Sequence, residues 1–146
     1  MIRAWDFKQR KNLIVAFLDA VHPGSEDFLE RLAAHAAEIA EREAVALIVF
    51  SEEPPATLLA HLPAEILVAT DMSGRAARAY LGEDALAPSG QQRMGMFVAD
   101  RYGELYAQWI IPAGGVLPGA GEVLSSLRQV ELACEECGVS LWPVPE

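Results

Sequence analysis

The sequence predicts an α/β fold, a three-layer α/β/α sandwich around a central mixed sheet. Three short, continuously apolar runs point to it: "NLIVAFLD" from Asn12, "AVALIVF" from Ala44 and "EILVAT" from Glu65. Each has the length of a strand, and unbroken rather than alternating hydrophobicity suits strands covered on both faces. Helix-patterned segments lie between them, which implies β-α-β units and a parallel sheet. The second half changes character, to a hairpin pattern and then a closing helix, so the sheet becomes mixed.

Size and charge set the outer limits. With 146 residues a single domain with a substantial core is expected, and 52% hydrophobic residues exclude a disordered chain. A formal net charge of −10 argues against nucleic acid or an anionic membrane as partner. The longest apolar run, "LIVAFLDAV" from Leu13, is too short for a membrane span and contains Asp19. Lys8, Arg10 and Lys11 in front of it mimic a signal peptide, but Asp19 breaks the apolar region and no A-x-A-like site follows. The expected compartment is the cytoplasm, and two cysteines near the C-terminus do not suggest a disulfide scaffold.

The first helix is the clearest element. Phe28, Leu29, Leu32, Ala33, Ala36 and Ile39 form one stripe at helical spacing, which predicts a long helix after the turn at residues 19–25. Pro23 suits its first turn, where a missing N–H costs nothing, and Glu26 and Asp27 favour the positive end of its dipole. Ser25 is the expected capping residue, and His22 either a capping or a solvent-facing residue. A short helix is expected over 56–61, before Pro63, and "DMSGRAARAYL" starts another after a turn. "GMFVAD", "RYG" and "ELYAQWII" read as a hairpin turning at 100–103, with Trp109 in the core. "PAGGVLPGAG" is a loop. The closing helix, "AGEVLSSLRQVELACEEC", has Val123, Leu124, Leu127, Val130 and Leu132 as its apolar stripe. Trp142, in the tail "GVSLWPVPE", is expected to pack on its own domain or on a second subunit, and Trp5 could be core or surface.

This order of elements, with these words, resembles the thioredoxin-like fold and, within it, the peroxiredoxin family (alkyl hydroperoxide reductase/thiol-specific antioxidant). "DFKQRKNLIVAFL" is similar to that family's "DFRGRKNVVLVF" segment. "ATDMSGRAARAYLG" is similar to its "D-x-x-G-x-x-A-x-x-Y-G", and "MFVADRYGELYAQW" to its "F-V-I-D-x-x-G" hairpin. The resemblance spans residues 5–132 and implies a domain over 1–133, followed by a C-terminal tail, 134–146, that carries C-x-x-C. It also implies an N-terminal hairpin for which only about five residues remain, so that part is expected to be missing or short.

The same resemblance places a reactive cysteine at the end of the first core strand, on the leading end of the following helix. There the N–H groups and the dipole stabilise thiolate. Here the matching positions read His22-Pro23-Gly24-Ser25, so HPGS stands in place of C-P-x-C and no sulfur is present. The expectation is a degenerate site, with neither peroxide reduction nor sulfenic acid chemistry at His22 or Ser25. A Ser-His hydrolase pair is a further reading of these two residues. Arg93 is the third site candidate, because the family has a peroxide-polarising arginine just before its "F-V-I-D" strand. Arg93 lies four residues before Phe97, where the family more often has three, and a one-residue offset turns a side chain to the other face. The proline that thioredoxins use to dock substrates is missing from "RMGM".

Both cysteines lie in Cys134-Glu-Glu-Cys137. C-x-x-C serves reversible disulfide formation or metal ligation. Three readings stay open: incidental thiols, a redox-active or resolving dithiol, and a zinc site shared across a dimer, since one chain supplies too few ligands. Glu131, Glu135 and Glu136 beside them disfavour thiolate. No cofactor is implied. The partners expected are a second copy of the chain, as a homodimer, or a redox protein.

Overall fold

The computed structural model describes residues 11–83, 93–112 and 115–137, with the backbone alone for 131 and 133–137. Five strands form one sheet in the order β3-β2-β1-β4-β5. β1 (Asn12–Leu18), β2 (Ala44–Phe50) and β3 (Ile66–Thr70) are parallel, and they are the three apolar runs of the sequence. β4 (Met94–Ala99) joins β1 antiparallel, with Phe17 opposite Gly95, and β5 (Leu105–Ile111) pairs with β4 through the expected hairpin. The mixed sheet of the sequence reading is therefore present, and all seven residues of the central strand β1 are buried.

Alternation along β1 divides the core in two. Ile14, Ala16 and Leu18 face a layer built from α1 (Pro23–Ala34), α2 (Ala36–Glu41) and α5 (Ala120–Cys137), whose Phe28, Leu32, Ile39, Val123, Leu124 and Leu127 are buried against them. Leu13, Val15 and Phe17 face α4 (Arg75–Leu81), packing with Ala77, Leu81 and Phe97. Phe17, Tyr80 and Phe97 form an aromatic triangle there, with Tyr80 5.2 Å from each of the other two rings. α3 (Ala56–Leu59) is shorter than the 56–61 expected, because Ala60 is already extended.

The long first helix is in fact two. His35 interrupts it: its N–H bonds to the Leu32 carbonyl, while its ring Nδ1 donates to the Arg31 carbonyl at 2.8 Å. The side chain thus takes the acceptor that a continuing helix would give to the His35 backbone. The closing helix also corrects its stripe. Val123, Leu124, Leu127 and Val130 are buried, but Leu132 is 65% exposed, since it lies about 140° round the helix from Leu127. Trp109 is half-buried, packed against the core rather than within it.

α2 and α5 are tied by charge. Arg128 on α5 grips Glu38 with Nε to Oε2 at 2.6 Å and Nη2 to Oε1 at 2.9 Å, and Arg42 adds a bond to Glu38 at 3.0 Å. The Arg128 hydrogen bonds, with help from Arg42, hold the Glu38 carboxyl down at about 2. Trp5, Trp142 and the stretch 138–146 lie outside the described residues.

Candidate functional site

β1 ends at Leu18, and the chain turns at once into α1. Two groups of Asp19, its backbone carbonyl and its side-chain carboxylate, organise the turn. Its carbonyl accepts the His22 N–H at 3.0 Å and the Ser25 hydroxyl at 2.6 Å. Its carboxylate accepts the Val21 N–H at 3.1 Å. Ser25 is fully buried by this arrangement. The cap of α1 is His22 and not Ser25: its backbone is extended (φ −72°, ψ 130°), Pro23 follows it at the first helical position, and its ring Nδ1 accepts the Gly24 N–H at 2.9 Å.

The other ring nitrogen of His22 reaches across the molecule. Nε2 lies 2.9 Å from the carbonyl oxygen of Gly115, in the loop between β5 and α5. Nδ1 is an acceptor and the Gly115 oxygen cannot donate, so the proton sits on Nε2 and the ring is the neutral Nε2–H tautomer. Both ring nitrogens are thereby engaged with backbone. His22 and Ser25 are brought to one turn, where the Ser25 N–H donates to the His22 carbonyl at 3.1 Å, yet their side chains do not bond to each other. Each is spent on a backbone partner, so the pair does not form the nucleophile–base hydrogen bond of a hydrolase.

Arg93 is placed elsewhere. Its guanidinium donates through Nη1 to the Leu81 carbonyl at 2.8 Å, at the end of α4. It continues the side of β4 that holds Gly95 and Phe97, the face turned to α4, whereas α1 lies on the opposite face of the sheet. Cys134 and Cys137 belong to the last turn of α5 in backbone terms, and their side chains lie outside the described residues. Among the described residues no group of three or more His, Cys, Asp or Glu side chains is gathered as metal ligands.

Beside the His22 cap opens a cleft of about 770 Å³. One wall is α1, with Asp27, Phe28 and Arg31, continued by His35 just past its end. The other is the loop before α5, with Gly115, Val116 and Leu117. Val116 is 89% exposed, and Val21, next to His22 in the chain, is 87% exposed. An apolar side chain left as open as Val116 in the wall of a concave site suits the binding of a ligand or partner. On the α1 wall, Arg31 is paired with Asp27 at 2.8 Å. The sequence offered the Gly- and Pro-rich loop but nothing to show that it faces α1. The one local signal is Gly24, where a Cβ would meet the His22 ring at 3.2 Å and Leu117 Cδ1 at 3.3 Å.

No protein-family profile matches this chain, and no curated protein matches it. Solved structures do. An AhpC of Enterococcus faecalis superimposes with a TM-score of 0.69 at 18% identity, over 87% of this chain and 78% of the other. An AhpC of Mycobacterium tuberculosis gives 0.71 at 19%, over 97% and 79%. A Chlorobium tepidum protein assigned as a thiol:disulfide interchange protein DsbE gives 0.64 at 20%, over 90% and 86%. At this level of identity the likeness is one of architecture. With its mixed sheet, its central β1 and a helix launched from the end of that strand, the chain has the thioredoxin-like fold.

Proposed function

We propose that this protein uses a thioredoxin-like scaffold for binding, with the thiol position of peroxiredoxin-type relatives degenerate and redox-inactive. The observation that carries the reading is His22: where the resemblance expects a thiolate, an imidazole has both nitrogens bonded to backbone. Ser25, at the second position, is fully buried and donates to the Asp19 carbonyl. Neither group has the polarisable sulfur that hydroperoxide reduction requires. What remains beside them is the cleft between α1 and the 115–119 loop, with its open apolar rim.

The test is hydroperoxide turnover with a thiol reductant, on the native chain and on His22→Ala. No turnover above the uncatalysed rate is expected in either. Turnover that persists in Cys134→Ser and Cys137→Ser and is lost in His22→Ala would overturn the reading.

A second reading has its own support. Cys134 and Cys137 stand three residues apart on the end of α5, one turn of helix, and a C-x-x-C pair is a recurrent thiol–disulfide unit. In that case the protein is a thiol oxidoreductase working through its C-terminal pair, alone, with a redox partner or within a homodimer. Thiol counts before and after diamide separate the two. A reversible loss of two thiols, abolished in either serine variant, supports the oxidoreductase; inert thiols support the binding reading. Zinc at about half an atom per chain, absent from both variants, would instead support the site shared across two copies. Among the described residues no helix is long and apolar enough to cross a membrane.

A further inference from the structure

We propose that His22 is a proton-operated clasp, which in its neutral form holds the 115–119 loop against the first turn of α1 and so sets the opening of the cleft. The parts are built for a close fit. The ring lies over Gly24, whose absent Cβ leaves it room. Gly115 closes a turn by bonding its N–H to the Pro112 carbonyl at 2.8 Å. A Cβ at Gly115 would meet Ile111 Cγ2 at 2.7 Å and the Pro112 oxygen at 2.9 Å, so only glycine presents its carbonyl to His22 from that turn. One rigid ring therefore joins two segments 93 residues apart in the chain.

Only the Nε2–H tautomer makes both bonds. A proton added to Nδ1 removes the acceptor of the Gly24 N–H and sets a positive ring at the positive end of α1. The Gly24 N–H then needs water, and admitting water requires the ring to swing aside. Because the two nitrogens share one plane, that swing also breaks the bond to Gly115. Histidine is the side chain suited to such a change between about pH 5 and 8.

The charged groups around the ring leave it to the backbone. In its own turn the Asp19 carboxylate is taken by the Val21 N–H. On α1, Asp27 is paired with Arg31, Glu26 is exposed, and His35 lies farther along the same wall. From α5, the Glu122 carboxylate accepts the Gly119 N–H at 3.0 Å. Among the described residues no carboxylate is bonded to the imidazole, so none would hold the protonated ring in place. The clasp rests on this geometry alone and does not depend on what the cleft binds.

The experiment is NMR of the full chain between about pH 8 and about 5.5. It follows the His22 ring, the Gly24 amide and the amides of Val116 and Leu117, with exchange rates normalised to the unfolded chain. The expected result is a fall of about tenfold in Gly24 protection, the weight of one hydrogen bond, with Val116 and Leu117 shifting at the midpoint of the His22 ring. In His22→Asn, which keeps a capping oxygen but does not titrate, Gly24 should show no such change. Three results would overturn the clasp: Gly24 protection that stays constant in the native chain, an equal fall in His22→Asn, or an equal fall at Leu124 and Leu127, which would mean general loosening.

Discussion

The two ends of β1 solve the same problem in opposite ways. At its start, Asn12 is buried and uses both ends of its amide: Nδ2 donates to the Arg42 carbonyl at 2.9 Å, and Oδ1 accepts the Arg101 N–H at 3.0 Å. Beside it Asp100 is buried, its Oδ1 accepting the N–H groups of Tyr102 and Glu104. Arg101 closes the outside with Glu43 at 2.6 Å. At the far end, Asp19, His22 and Ser25 are as fully bonded, but the wall beyond them stands back and leaves a cleft. The backbone is held by polar groups at both ends, although among the described residues the buried Asp100 Oδ2 finds no hydrogen-bond partner; only the α1 end leaves apolar surface open. A site of this kind is recognised by what its surroundings leave uncovered, and the density of hydrogen bonds does not reveal it.

Changes at the closed end should therefore be the costlier ones. Asn12→Ala leaves the Arg42 carbonyl and the Arg101 N–H without their buried partner, a loss of about 2–3 kcal/mol. For a chain of this size that lowers the thermal midpoint by about 5–10 °C. Calorimetry of the variant checks it; a fall under about 2 °C would mean that water replaces the amide and the end is less closed than it looks.

Ser25→Ala tests the open end at its most buried point. It removes the 2.6 Å bond to the Asp19 carbonyl, but that oxygen keeps the His22 N–H. The expected loss is about 1 kcal/mol, read from urea unfolding with the slope unchanged. A loss as large as that of Asn12→Ala would remove the contrast between the two ends.

The Glu38 brace lies between the ends and is set apart by pH. Its carboxyl titrates near 2 in the folded chain against 4.5 in the unfolded one. A depressed carboxylate contributes stability that is complete above about pH 4.5 and disappears as pH falls through about 2. Glu38→Gln should cost about 1 kcal/mol near neutrality, since solvent screens the half-exposed Arg128. The gap between native and variant midpoints should stay constant above about pH 5 and close toward pH 2. A gap that does not change with pH would assign the effect to packing.

What the sequence made legible, and what it did not, follows the range of the interactions. The buried strands and the hairpin could be read because each announces itself within a few residues, through hydrophobic period and turn chemistry. The HPGS stretch, where the resemblance expects C-P-x-C, was equally local. Of the two capping candidates the sequence offered, His22 is the cap although serine outranks histidine in general, because the turn buries Ser25 beneath Asp19 and leaves His22 at the edge with a longer reach. The break at His35 came from a side chain competing for a backbone carbonyl, which periodicity does not register. The second wall of the cleft depends on the bond from His22 to Gly115, 93 residues away, and beyond the glycine at 24 nothing near His22 in the chain points to it.

The smallest effect belongs to the cleft wall itself. Arg31 and Asp27 form an i,i+4 pair with side chains 67% and 65% exposed. Such pairs contribute about 0.3–0.5 kcal/mol, and less in salt. Arg31→Ala should move the thermal midpoint by about 1–2 °C at most. The same substitution removes a charged side chain from the wall of the cleft, so any ligand that touches that wall should lose affinity out of proportion to the change in stability. A variant that melts like the native chain yet binds differently would mark the wall as a contact surface. One that unfolds early would show that the α1 wall, like the Asn12 end, is held by its polar groups, and the cleft would then be a by-product of packing with no place in binding.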